Sequence, residues 1–236
     1  MVIQSFLIRL NDNCIPLFSK TRVGRYLFRS TLWWEISSLT VHTALLATRG
    51  NADMSEATRA SRALLTDLLP WLPTDAEVME FGCGLGLNSL AIAPYCRNVI
   101  GLDISKGLLR LARRMAKGID KVGFVWYDGT RFPFSSETFS FVFTVGVFER
   151  ITKLRVQGYL AEIQRVLKSH GTAFLYFLSP RAKGTVFTAR LGDESFVYFT
   201  ESEAEKRCCR AGMRVIKVLR WPMAEIVIAV KNPVIS

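Results

Sequence analysis

One acid and three glycines at two-residue spacing, Glu80-x-Gly82-x-Gly84-x-Gly86, separate an apolar segment ending at Phe81 from a second one carrying Leu87, Leu90, Ala91 and Ile92. Glycine permits positive φ and lets a ligand approach the backbone with no Cβ in the way. A helix that opens after such a turn points unpaired N–H groups toward that ligand. The chemistry this suits is nucleoside or nucleotide binding, and Cys83 sits among the same ligand-facing positions. Seventeen residues past Gly86, Asp103 ends the apolar run Val99, Ile100, Gly101, Leu102. A carboxylate at the C-terminal tip of a strand can accept two hydrogen bonds from a ribose diol, as it does in dinucleotide-binding folds. A third polar position, Asp128 with Gly129 and Thr130, ends the run Phe124, Val125, Trp126, Tyr127. Each residue also has a plainer use: Glu80 as a rim carboxylate, Asp103 or Ser105 as a helix cap, Asp128 as the start of a turn. Their order and spacing behind the glycine turn favour a shared site.

Such residues need elements to hold them, and the hydrophobic pattern supplies an alternating series. Strands are predicted over 77–82, 98–102, 122–127, 139–145 and 171–178, and helices over 86–95, 105–117, 153–167 and 200–211. An amphipathic helix over 55–69 precedes them and stops at Pro70. Alternation of this kind implies a parallel sheet with helices on both faces. Two further strands, over 213–221 and 224–231, are joined only by Pro222 and Met223, a link too short for anything but antiparallel pairing. The fold class is therefore α/β: a doubly wound, mostly parallel seven-stranded sheet ending in an antiparallel β-hairpin. Residues 1–60 differ in character, with helical candidates over 21–32 and 34–48 and the aromatics Tyr26, Phe28, Trp33 and Trp34. Two parts are expected, an N-terminal helical extension or lid over 1–60 and a catalytic domain over 61–236.

Dinucleotide folds space their glycines G-x-G-x-x-G, whereas this chain has G-x-G-x-G with an acid two positions before the first. That pattern resembles the class I (Rossmann-like) S-adenosylmethionine-dependent methyltransferases, of the small-molecule, type 11-like kind. Residues 124–134 resemble the family's third strand and its Asp-x-x-x-x-Pro-Phe segment, here Asp128 to Phe134; 139–151 resemble the fourth strand and its loop, and 159–168 the helix before strand five. The resemblance spans about residues 60 to 232. It implies S-adenosyl-L-methionine as cofactor and S-adenosyl-L-homocysteine as product. It would place Gly82, Cys83, Gly84 and Gly86 against the methionine portion, with Glu80 orienting nearby. Asp103 would hold the ribose hydroxyls and Ile104 would pack on adenine. Asp128 would accept from the adenine amino group, with Gly129 and Thr130 along the same edge, and Val145 and Gly146 would border the pocket.

The chain departs from the family pattern in places. Ser140 stands where the family usually has Asp, Arg150 replaces the frequent His after Glu149, and Ser169, His170 and Gly171 replace a Pro-Gly-Gly turn. His170 is read as a turn residue, His42 as a core residue, and no catalytic base is identifiable. Glu149 is the carboxylate best placed for substrate, with a structural hydrogen bond as its plainer use. The Pro-Pro-aromatic run of amino-methylating nucleic-acid enzymes is missing, as are the Pro-Cys nucleophile of cytosine enzymes, a glutamate pair for arginine methylation and extra metal ligands. A small-molecule acceptor is what remains. Trp33, Trp34, Glu149 and Tyr198 are the substrate-side candidates. Phe187, Phe196 and Phe199 join them in an apolar acceptor pocket under a lid of 1–60 and 179–199, unless they simply pack the core.

Composition narrows the class. Half of the 236 residues are hydrophobic, enough for a sizeable core. Five cysteines without paired spacing and two histidines argue against a zinc site or disulfide framework and for a reducing cytoplasm. For the neighbours Cys208 and Cys209, one buried and one exposed thiol is expected. No signal peptide is evident at Met1, and the apolar stretch over 26–48 is broken by Arg29, Glu35 and His42, so a soluble or peripheral protein is expected. The net charge of +11 is uneven: residues 1–62 hold eight basic against four acidic side chains, and 151–190 hold seven against one. Lys106, Arg110, Arg113, Arg114 and Lys117 read as the solvated face of a helix whose apolar stripe is Leu108, Leu111, Ala112, Met115 and Ile119. The partners considered are a small-molecule or lipid-like acceptor first, with peripheral contact to an anionic membrane through the basic aromatic N-terminus. RNA along the basic surface is a further alternative, and a catalytically inactive cofactor-binding partner protein is the last.

Overall fold

Strands β1 (Glu77–Phe81), β2 (Asn98–Asp103), β3 (Val122–Trp126), β4 (Phe139–Thr144), β5 (Leu167–Leu178), β6 (Met213–Arg220) and β7 (Ala224–Lys231) form one sheet in the order β3-β2-β1-β4-β5-β7-β6. The computed structural model describes residues 34, 35, 38, 53–185 and 196–231. β1 to β5 run parallel, and β7 is antiparallel to both β5 and β6. Period-two alternation sorts the apolar side chains to two faces. Val78, Val99, Phe141, Phe143, Phe174, Ile226 and Ile228 pack under helices α1 (Met54–Leu68) and α2 (Leu87–Ile92). Met79, Phe81, Val142, Leu175, Phe177 and Val227 pack under α4 (Lys153–Val166) and α5 (Glu201–Arg210). Apolar side chains on both faces are what a covered parallel sheet requires.

The remaining helix, α3 (Lys106–Met115), lies against β2 and β3. Its cations Lys106, Arg110, Arg113 and Arg114 are exposed, as is Lys117 beyond its end. The apolar stripe differs by two residues. Leu109 is fully buried against Cys83 and Phe124, whereas Ile119 falls past the helix end and is exposed.

Chain order explains where a site can form. The chain runs from β1 through α2 to β2 and on to β3, then crosses back to place β4 on the other side of β1. The crevice beyond the C-terminal ends of β1 and β4 is therefore the topological switch point, where open α/β sheets bind ligands.

Several boundaries shift for local reasons. α2 stops at Ile92 and passes into a 3-10 turn, Ala93–Tyr95, because Pro94 cannot continue an α-helix. β5 starts four residues before the expected 171, with His170 at φ 61 inside it and a register irregularity against β4. His170 lies at the end of β5 away from the crevice and is exposed. Ser140 Oγ accepts from Glu77 N (2.9 Å) and donates to Glu77 O (3.3 Å), so a hydroxyl bridges β4 to β1 where the family uses a carboxylate. α1 crosses the expected 60/61 boundary, and its Leu64, Leu65 and Leu68 pack on the sheet. The helices expected over 21–32 and 34–48, with Trp33, His42 and Phe187, fall outside the described residues apart from positions 34, 35 and 38. Cys208 is buried and Cys209 exposed, as expected. Among the described residues no helix is long and apolar enough to cross a membrane.

Candidate active site

The glycine turn folds as it does because its backbone is held at both ends. Gly82 N and Cys83 N both donate to Leu102 O (2.7 and 3.2 Å), tying the turn to the end of β2. Gly82 has φ 75, and a Cβ there would overlap Val147 Cγ2. Gly86, at φ 73, starts α2, and a Cβ on it would stand 2.5 Å from the Phe124 ring. Glu80 is buried and anchors α2: Asn88 Nδ2 donates to its Oε1 (2.8 Å) and Ser89 Oγ to its Oε2 (2.5 Å). Ser61 Oγ donates to Asn88 Oδ1 (2.7 Å), which extends the same network to α1.

Asp103 ends β2 with its carboxylate beneath the turn. Oδ2 accepts from Gly84 N and Oδ1 from Ser105 N, both at 2.9 Å. Ser105 is the residue that caps α3, accepting from Leu108 N at 3.1 Å. The choice between Asp103 and Ser105 as cap is thereby resolved, and Asp103 keeps acceptor capacity, since a carboxylate offers about four lone-pair sites. Burial raises the Asp103 pKa above its ordinary value, against the lowering effect of its backbone hydrogen bonds. Burial, then Asp103 and Glu80, raise the Cys83 thiol, which is an inert neutral group here.

The loop after β3 contributes the third side. Asp128 Oδ1 accepts from Thr130 Oγ1 (2.6 Å) and Thr130 N (2.9 Å), an Asx turn, and these bonds lower its pKa. Tyr159 Oη donates to Gly129 O at 2.8 Å, and Arg155 Nη2 donates to the same oxygen at 3.2 Å. Farther along the loop, Glu162 accepts from Phe132 N (2.8 Å) while Arg165 donates to Phe134 O (2.7 Å), which pins the Pro133-Phe134 segment to α4.

These parts meet in one cavity. Of the expected cofactor residues, Glu80, Gly82, Cys83, Gly84, Asp103, Ile104, Asp128, Gly129 and Val145 line it. Gly86 and Thr130 do not: the first shapes the start of α2, and the second closes the Asp128 turn. On the substrate side Trp34 lines the cavity. Glu149 lies behind it, buried, with Oε2 lacking a hydrogen-bond partner and a pKa raised by burial. Tyr198 stands outside, beside Phe196 and under Lys183 Nζ (5.2 Å to the ring centroid), and Phe199 is core, packed on Phe177. Sequence reasoning did not assign Asn88, Tyr127, Arg150, Ile151, Arg155 or Tyr159 to the site, yet all line it. Only Arg150 carried a signal, as a departure from the family's histidine.

Trp34 reaches the cavity from the N-terminal part and packs against Leu85, Leu87 and Leu108 on one side and Leu178, Ala182 and Phe196 on the other. Its neighbour Glu35 accepts from Lys106 N (2.7 Å) and Gly107 N (3.1 Å) at the N-terminus of α3. Ser38 covers Gly107 so closely that a Cβ there would overlap its hydroxyl.

Residues 78–171 match the family model described as a methyltransferase domain. Over 143 residues the chain is 32% identical to a demethylmenaquinone methyltransferase of Clavibacter sepedonicus, covering 60% of this chain and 54% of that protein. The chain spans about half or less of the length of the curated relatives it matches. Among solved structures, the PH0226 protein of Pyrococcus horikoshii OT3 superposes with TM-score 0.65 at 21% identity, over 76% of this chain and 93% of that one. A [4+2]-cyclase, SpnF, superposes with TM-score 0.62 at 14% identity over 75% of this chain and 82% of its own, so the fold by itself does not specify the reaction.

Proposed function

From the premise that residues 78–171 belong to the methyltransferase domain family and lie in a class I, Rossmann-like sheet, we propose that this chain is an S-adenosylmethionine-dependent methyltransferase acting on a small-molecule or lipid-like acceptor. The observation that carries the proposal is convergence: the glycine turn, Asp103 and the Asp128–Gly129 loop line one cavity whose far wall is Trp34, Val145, Val147, Arg150 and Ile151. Asp103 retains acceptor sites for the ribose hydroxyls, Ile104 offers an apolar face for adenine, and Gly82 and Gly84 leave the floor free of side chains. The acids Glu80, Asp103 and Asp128 give this end of the cavity the sign that suits a sulfonium cation. The name of one relative gives demethylmenaquinone as its substrate, which supports an organic small molecule here.

S-adenosylmethionine brings a methyl group already activated on sulfur. The chain's own part is therefore positioning, a contribution that can reach roughly 7–11 kcal/mol of a barrier in well-oriented reactions. Trp34, Val147 and Ile151 give the acceptor end an apolar lining. A thermal melt with S-adenosylmethionine and with S-adenosylhomocysteine tests the reading. At 100 times Kd, a ligand that binds only the native state adds about 2.7 kcal/mol, on the order of 5–10 °C for a chain of this length. Asp103→Ala is expected to remove most of that shift. No shift in the parent chain, or an undiminished one in the variant, would sink the assignment.

A further inference from the structure

Residues 127–138 join β3 to β4 without helix or strand, so the Asp128–Gly129 wall of the cavity needs support from outside its own loop. The turn made by Asp128 and Thr130 fixes that carboxylate relative to the loop backbone only. Two side chains of α4 tie the backbone to the rest of the molecule, and both reach one atom. Tyr159 Oη donates to Gly129 O at 2.8 Å, and Arg155 Nη2 donates to it at 3.2 Å. At positions i and i+4 the two stand on one face of α4. Tyr159 is buried, its ring centroid 4.9 Å from that of Phe81 and 6.0 Å from the stacked ring of Phe132, so the core sets its hydroxyl. Arg155 is the exposed member of the pair. Gly129 is left-handed, at φ 88, and a Cβ on it would stand 3.8 Å from Ile104 Cγ2. Ile104 is held in its turn, because Trp126 Nε1 donates to Ile104 O at 2.9 Å.

A loop carbonyl that takes two such donors, next to a carboxylate that lines a cavity, holds that carboxylate in place. Thr130 uses Asp128 Oδ1, which leaves Oδ2 for a ligand. The bonds from Thr130 also keep the group ionised at neutral pH, and an ionised carboxylate only accepts hydrogen bonds. It matches a ligand amino group and repels a carbonyl oxygen at the same place. We propose that Tyr159 and Arg155 are positioning residues for base recognition: by gripping Gly129 O they hold Asp128 where it distinguishes an amino from an oxo group on the purine of the bound nucleoside. The proposal rests on the cofactor reading above. Both residues act on the base through Gly129 and Asp128. A loop released from them lets the carboxylate move away from an oxo group, so selectivity falls further than affinity. Because two donors share one oxygen, each partly stands in for the other, and losing both exceeds the product of the single losses.

The test uses the whole chain and isothermal titration with S-adenosylhomocysteine and S-inosylhomocysteine, in which an oxo group replaces the adenine amino group. The parent chain should bind the first about tenfold or more tightly, the margin of one hydrogen bond to a charged group. Asp128→Asn, whose amide donates as well as accepts, marks the loss of that preference. Tyr159→Phe keeps the ring and leaves one donor on Gly129 O, and should lower the preference about twofold to threefold. Tyr159→Phe/Arg155→Met should bring it within about twofold of the Asp128→Asn value. A clamp that served folding alone would weaken both ligands equally and leave their ratio at the parent value, and that result overturns the proposal. If the double variant does not fold, Tyr159→Phe alone decides, with an unchanged ratio again overturning it. A parent chain that binds both nucleosides equally leaves the cofactor reading standing and removes the proposal; one that binds neither removes both.

Discussion

Gly82 and Asp103 act on the same turn through different physics, and each can be probed separately. Gly82 sits at φ 75 with Val147 Cγ2 in the space a Cβ would take. A side chain in that backbone region costs roughly 1–2 kcal/mol before any overlap is counted. Gly82→Ala should therefore lower the melting point and erase the S-adenosylhomocysteine shift. Adding Val147→Ala should restore part of the melting point, because it removes the overlapping methyl but not the φ penalty. A double-mutant cycle on thermal melts should give a favourable coupling above about 0.5 kcal/mol, and a value of zero would refute the packing account. Asp103 is a matter of charge. Its folded pKa lies above the unfolded value because burial disfavours the anion. It thus contributes stability below the unfolded pKa and loses it as pH rises through the folded one. Comparison with Asp103→Asn isolates this. As pH rises above about 4, the ordinary carboxylate value, the melting-point difference should move in favour of the variant and then level off, and movement toward the parent chain would contradict the assigned shift.

Elements were legible in the sequence to the extent that their signals are local. Strand alternation, the cap residue Ser105 and a two-residue link before β7 are each contained within one segment, and the sheet follows from them. The glycine turn, Asp103 and Asp128 were legible for the same reason. Residues that depend on distant segments were not: Tyr159 enters the site from α4, Asn88 through a bond to Glu80, and Arg150 through the crossing of β4 past β1. Gly86 and Thr130 misled in the other direction, because a packing glycine and a turn-closing threonine look the same in sequence as ligand contacts. The N-terminal contact belongs to this scale too. Glu35 supplies α3 with a carboxylate cap from 71 residues away, on the helix that follows Asp103. Loss of such a cap costs about 0.5–2 kcal/mol. Glu35→Ala should lower the ligand-free melting point by that margin, Glu35→Gln by less, and an unchanged melting point in the alanine variant would refute the docking of this segment on α3.

Across the whole molecule, the last strand in sequence is not the last in space. β7 is laid between β5 and β6, so closing the sheet depends on residues near the C-terminal end of the chain. Its apolar alternation fills both cores, Val227 and Ala229 on one face and Ile226 and Ile228 on the other. The cavity takes nothing from β7: its lining comes from β1 and β2, the loops after β1 to β4, the helices α2, α3 and α4, and Trp34. The antiparallel hairpin should therefore set stability without setting ligand affinity, and one methyl group can separate the two. Ile228 is fully buried and pairs in register with Phe174 of β5 and Lys217 of β6. Ile228→Val removes a single methyl, at a cost of about 0.5–1.5 kcal/mol, which for a chain of this size is a fall of roughly 1–6 °C. The S-adenosylhomocysteine Kd, measured by titration well below the new melting point, should stay within about twofold of the parent value, because the cavity and its charges are untouched. A several-fold loss of affinity in Ile228→Val would mean that the hairpin and the cavity share one cooperative packing, and the separation of scaffold from site would have to be given up.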